Sequence, residues 1–203
     1  MCVTIYGDRM AGSTLPDSLL IDSLRRRMRA MHSLYYQAVG SMGLEHVNHF
    51  EREGVLPIAF SLFHYTNMED ASFMLITGVL PIWNDQCQAK VAMAINDHGK
   101  HLTVAEMVHQ RIGDYAAFCE YQRAVFDRTE AHLDGMDPAD LTRVVITRPF
   151  PPQIESTYSA RVAGPEGITV LDAFECWIYQ HGLRHMGEIE LARGLVGLGG
   201  MTS

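Results

Sequence analysis

His181 and His185 stand four residues apart in the stretch YQHGLRHMGEIELARGLVGLGG, which runs from Tyr179 to Gly200. On a helix of about 3.6 residues per turn and about 1.5 Å rise, this spacing puts two imidazoles on nearly one face, about 6 Å apart along the axis, near enough to share an ion. Three-and-four counting from Leu171 gives an inward stripe of Leu171, Phe174, Ile178, His181, His185, Glu188, Ala192 and Leu195, so three consecutive ionisable residues interrupt an apolar face. Buried polar groups are costly unless partnered. A second interruption comes earlier in the chain, where His64 and Asn67 fall between Phe60 and Ala71. A third imidazole facing the pair completes a three-histidine centre and leaves the remaining position to solvent or substrate.

Such a centre lowers the pKa of bound water towards ~7, or holds a thiol as its anion; the thiolate is the attacking form. Glu188, one turn beyond His185, suits a base or a ligand-orienting group, against the plainer reading of a structural hydrogen bond. Asn67 reads as a substrate contact or as a buried amide satisfying its neighbours. Arg184 and Arg193 serve a substrate carboxylate only if they turn inward, and their positions off the stripe favour solvent. Tyr65, Met68 and Trp177 adjoin the histidines as pocket walls or as packing. Cys176 reads as an inert core thiol rather than a further ligand. H-x-x-x-H also arises by chance in a chain with ten histidines. The neighbouring clusters Glu45/His46/His49 and His98/His101 fall in expected loops and read as exposed.

Positioning these residues requires long helices. The first is expected from about Asp17 to Val39, capped by Asp17 or Ser18, with Leu20, Leu24, Met28, Met31, Tyr35 and Ala38 inward and the run Arg25, Arg26, Arg27 and Arg29 on a solvated face. A second begins near Pro57 and ends before Gly78. Thr103 and Glu106 form a capping-box pattern opening a third helix that carries Val108, Ile112, Tyr115, Cys119, Gln122, Phe126, Thr129 and Leu133. A short extra helix fits residues 86–95. Between Leu141 and Gly167 the β-rich segments 143–148 and 156–162 suit either an ordered loop or a small hairpin. Gly167 or Thr169 leads into the last helix. The expected fold is all-α, four amphipathic helices packed as a bundle with long connecting loops.

Length and composition agree with this. The 203 residues fit one domain spanning 1–203, with 47% apolar and 20% charged residues, an ordinary globular balance. Sixteen basic against twenty-four acidic residues give a net charge of −8, which argues against binding a phosphate backbone. Cys2, Cys87, Cys119 and Cys176 are scattered without metal or disulfide spacing, and no apolar run approaches a membrane span. The expectation is a soluble protein of a reducing, cytoplasmic compartment with no nucleic-acid or membrane partner.

The stretches PIAFSLFHYTNMEDASFMLITG and HGLRHMGEIELARGLVGLGG, with the long helix between them, resemble the DinB-like superfamily, including the YfiT-like hydrolases and the bacillithiol- and mycothiol-dependent transferases. The resemblance spans roughly Leu15 to Gly200 and is weakest over Leu141 to Gly167. It implies a bundle with an unusual helix order, a homodimer, and a divalent metal held by His64, His181 and His185. Three imidazoles suit zinc, nickel, iron and copper alike; the resemblance favours zinc or nickel, with iron or manganese behind them. It implies a small-molecule substrate and a low-molecular-weight thiol as cosubstrate for an S-transferase. The alternatives are a hydrolase or isomerase using the same centre, or a non-catalytic metal-binding stress protein.

Overall fold

The computed structural model describes residues 17–99 and 102–201; Cys2, Leu15 and His101 lie outside them. Among the described residues the chain is mostly helical, and no helix is long and apolar enough to cross a membrane.

The cap expected at Asp17 or Ser18 falls at the edge of the described residues, whose first helix, α1, spans Asp17–Gly40. It buries Ile21, Leu24, Met28, Met31, Tyr35 and Ala38, one face at helical spacing. Its arginines lie on the expected solvated side, with Arg26 and Arg29 exposed, and three of them also find partners. Arg25 donates to the Leu133 carbonyl at 2.8 Å, Arg27 pairs with Glu175, and Arg29 pairs with Asp134. After the single turn α2 (Leu44–Val47), helix α3 (Ile58–Thr77) starts with Pro57 as its N-cap and stops at Gly78, whose φ of 78° is the left-handed conformation open to glycine. The short α4 (Asp85–Val91) is capped by Asn84, which accepts from the Cys87 amide at 3.0 Å, and ends earlier than expected.

The third long helix begins later than its capping box suggests. Thr103 and Glu106 do form the box, but it caps only one turn, α5 (Val104–Met107), and α6 (Tyr115–Gly135) starts afresh with Asp114 accepting from the Ala117 amide at 2.9 Å. The reason lies in the partners that residues 108–114 find elsewhere. Gln110 bonds both the amide and the carbonyl of Ile95 at 2.9 and 2.7 Å, Asn48 does the same for Ile112 at 2.9 and 2.8 Å, and the Arg111 carbonyl accepts from Ala94. Backbone groups committed to neighbouring loops cannot close an i to i−4 ladder.

A 3₁₀ turn at Pro138–Thr142 leads into β1 (Val144–Thr147), followed by α7 (Pro152–Glu155), α8 (Tyr158–Val162) and β2 (Gly167–Thr169). The strands pair antiparallel with Val144 opposite Thr169 and Thr147 opposite Gly167. Of the two β-rich segments, residues 143–148 supply a strand, whereas residues 156–162 are largely helical because Thr157 caps α8.

Thr169 and Asp172 then form a capping box on a continuous rod, residues 170–195: α9 (Val170–Ala173), a π-helical segment (Phe174–Tyr179) and α10 (Gln180–Leu195). The wide turn corrects the expected stripe. Each π turn takes up one extra residue, so Ile178 within it stays buried as expected, but beyond it the buried positions become Gly182, His185, Met186, Ile189 and Arg193, while Glu188 is 47% exposed and Leu195 44% exposed. Helix α3 packs along α10, α1 packs against α6, and the core joins these faces.

Candidate metal centre

Helix α3 brings His64, and α10 brings His181 and His185, to one point. Gly182 sets the approach: a Cβ there would lie 2.2 Å from the Met31 sulfur and 2.7 Å from Tyr65 Cζ, and its carbonyl accepts from the Tyr35 hydroxyl at 2.8 Å. A side chain at this position would push α10 away from α3 and separate His64 from the pair.

The ring centroids of His64 lie 5.3 Å from His181 and 4.7 Å from His185, and the pair's own centroids are 4.6 Å apart. One nitrogen from each ring falls within 4.8 Å of the others. Ligands about 2.0–2.1 Å from a common ion are roughly 3–3.5 Å apart, so small side-chain rotations close the set.

The outer nitrogens fix the tautomers. His64 Nδ1 donates to the His98 carbonyl, and His185 Nδ1 donates to Glu188 Oε2 at 2.6 Å, leaving Nε2 on each neutral ring as the lone-pair atom. The same Glu188 oxygen accepts from Ser61 Oγ at 3.0 Å. Outer hydrogen bonds of this kind orient metal-binding histidines and raise their basicity.

Electrostatics favour uncharged rings at two positions. Burial pushes His64 down to about 4; the His98 carbonyl opposes this, and the His185 and His98 rings add to it. Burial likewise pushes His181 down to about 3, helped by the His185 and His64 rings and by the Arg184 charge. The hydrogen bond from His185 holds Glu188 below the ordinary carboxylate range, and it therefore stays an acceptor. Neutral imidazoles are the metal-binding form, so the donor set fits a divalent ion that accepts nitrogen ligands.

The structure sorts the other expected residues. Glu188 sits behind His185, in the orienting position. Asn67 is buried and donates to the Tyr121 hydroxyl at 3.4 Å, and it does not line the cavity beside the histidines. Arg193 reverses its expectation: it is 5% exposed and ties Ser41 and the Gly199 carbonyl together at 2.8–3.2 Å. Tyr65 lies under the site rather than in the cavity wall, donating to Glu69 at 2.6 Å, whereas Met68 and Trp177 do line the cavity. Cys176 is half-buried and also faces the cavity; burial raises its thiol to about 11. Sequence reasoning missed the His98 carbonyl and Ser61. His98 read as loop and is half-buried against His64; Ser61 sits three residues before His64 in its own helix, the signal that could have found it.

A cavity of about 440 Å³ opens beside His64 and His181, between α3, α8 and the rod, within the range of small-molecule sites. Its walls include Met68, Leu75, Ile154 and Trp177, with Arg184 and Ser72 among the polar groups.

A solved fold resembles this one. The crystal structure of a conserved protein from Enterococcus faecalis matches 87% of this chain and 96% of its own, with a TM-score of 0.68 and 16% identity. That likeness is one of fold alone. No family model matches the chain, and no curated protein matches it.

Proposed function

We propose that the chain is a metal-dependent enzyme of DinB-like, four-helix-bundle architecture, acting as a homodimer to join a low-molecular-weight thiol to a small electrophile. The observation that carries the metal-dependent part is the convergence of His64, His181 and His185, with nitrogens within 4.8 Å, beside a cavity large enough for a small molecule. A divalent ion held by these rings, zinc or nickel by the DinB-like resemblance, would supply Lewis acidity that favours the anion of a bound thiol or water.

The chain's own residues do the rest. Glu188 and Ser61 hold the His185 ring and its tautomer, and the His98 carbonyl holds His64. Met68, Leu75, Ile154 and Trp177 give an electrophile lying along α3 an apolar wall to pack against. Glu188 acts here through His185 as a positioning residue, and Asn67 belongs to the structural layer under the site.

The test has two stages. Purified protein is expected to hold close to one divalent ion per chain, and His64→Ala, His181→Ala and His185→Ala each to lose it while keeping helical circular dichroism. Metal retained in all three variants defeats the assignment. Metal-loaded protein is then incubated with a model electrophile and mycothiol, bacillithiol or glutathione. A thiol conjugate supports the transferase; product that is identical with and without thiol assigns a hydrolase or isomerase; no turnover with metal bound leaves a non-catalytic binding protein.

A further inference from the structure

Among the described residues, two polar groups in the cavity make no hydrogen bond within the fold. Arg184 lies on the cavity-lining edge of α10, one turn beyond His181; it is exposed, its charge reaches Glu188 and His181, and among the described residues it makes no hydrogen bond or close ion pair. Glu188, a neighbouring carboxylate on the same helix, is taken up by His185 and Ser61. Ser72 also lines the cavity, is only 3% exposed and makes no hydrogen bond among the described residues. Its hydroxyl is open to the cavity, where a ligand can bond it.

The two groups lie well apart along the cavity. Ser61 meets Glu188, and Tyr65 meets Gly182, so α3 and α10 run antiparallel and Arg184 falls at the histidine end. Ser72 lies two turns further along α3 than His64, about 12 Å at about 1.5 Å per residue. Met68, Leu75, Ile154 and Trp177 line the cavity as its apolar surface. An exposed guanidinium with no hydrogen-bonded carboxylate, beside an apolar cavity wall, recognises a carboxylate or another oxyanion.

We propose that the cavity takes an elongated amphiphile whose anionic group is held by Arg184 beside the three histidines, whose apolar body follows α3, and whose distal polar group bonds Ser72. This rests on reading the cavity as the substrate site of the metal centre. The anion lies next to the reacting end, so the substrates are small acids with the reactive atom near the acidic group.

The test measures binding of octanoate, octanol, octyltrimethylammonium and 8-hydroxyoctanoate by calorimetry, on chelated and on zinc-loaded protein. Octanoate is expected to bind about tenfold tighter than octanol or the cation in both forms. Arg184→Gln is expected to abolish that preference while leaving octanol affinity within about twofold, which also shows that the cavity is intact. The added hydroxyl of 8-hydroxyoctanoate is expected to tighten binding about fivefold over octanoate, a gain absent from Ser72→Ala. A preference for octanoate that survives Arg184→Gln, or that appears only with zinc, overturns the role of Arg184; an equal affinity of Ser72→Ala and wild type for the hydroxylated acid overturns that of Ser72. Loss of metal binding with the Arg184-dependent preference intact removes the metal reading and leaves this one standing.

Discussion

The Nε2 atoms of His181 and His185 face each other at 2.9 Å. His185 commits its Nδ1 proton to Glu188, so in its neutral form it presents a lone pair at Nε2. Two lone pairs at that distance repel unless a positive centre sits between them, and a proton and a metal ion are the two candidates. With His64 Nε2 turned to the same point, the metal accounts for three rings at once, whereas a proton accounts for two.

Metal should therefore stabilise the fold. At a free zinc or nickel concentration of 100 times Kd, linkage adds about 2.7 kcal/mol, which raises Tm by roughly 5–10 °C for a chain of this length. Differential scanning calorimetry with and without chelator checks this, and the shift should vanish in His181→Ala.

Glu188→Gln and Ser61→Ala act through His185. Losing the outer partner of a metal-binding histidine weakens affinity about 10- to 100-fold, with Glu188→Gln the larger effect because the carboxylate bonds the ring directly at 2.6 Å. Competition with a chromophoric chelator measures it. Unchanged affinity in both variants would show that the Glu188 contact orients nothing.

Gly182 and Gly187 make a matched pair on α10. Gly182→Ala forces a methyl against the ring of Tyr65, which is stacked on Tyr35 with centroids 4.6 Å apart; destabilisation of about 1–3 kcal/mol is expected, with weakened metal binding. At Gly187 a Cβ meets nothing within 4 Å, and Gly187→Ala should be neutral or stabilising by up to about 1 kcal/mol. Denaturant unfolding of both variants separates close approach from helix propensity.

Beneath the site, His32 bonds Glu69 at 3.2 Å and Glu130 at 2.7 Å, and its ring stacks on Phe126. Burial acts to lower the His32 pKa, but the Glu69 charge and the bonds to both carboxylates outweigh it and raise the ring to about 9. Burial would raise Glu69, and the His32 charge and bond bring it below its usual range. The His32 contribution is therefore complete below its unfolded value near pH 6.5 and is lost as pH rises through about 9. The Glu69 contribution is present above its unfolded value and is lost as pH falls through its folded one. Glu69→Gln should cost about 1–3 kcal/mol at pH 6, because the buried His32 charge keeps only Glu130, and should flatten the decline of unfolding free energy between pH 6.5 and 9.

Helical periodicity made the long helices legible. Leu24, Met28, Met31, Tyr35 and Ala38 all proved buried on α1, and the polar breaks at His64 and at His181/His185 marked the positions that converge. Periodicity failed where local groups found non-local partners. The capping box at Thr103 was real, yet Gln110 and the amide of Ile112 were claimed by Ile95 and Asn48, residues whose proximity no local pattern announces.

The last helix divides the two kinds of information. From the sequence alone came the i, i+4 spacing of His181 and His185, an angular relation that any helix enforces. Only the tertiary structure decided that a π turn ahead of them shifts the register by one residue, turning Glu188 outward behind His185 and Arg193 inward. A local pattern does not mark the wide turn, because the π segment differs from an α-helix only in which carbonyl each amide reaches; the same rod packs on α3, where Gly182 lets the two helices close around His64.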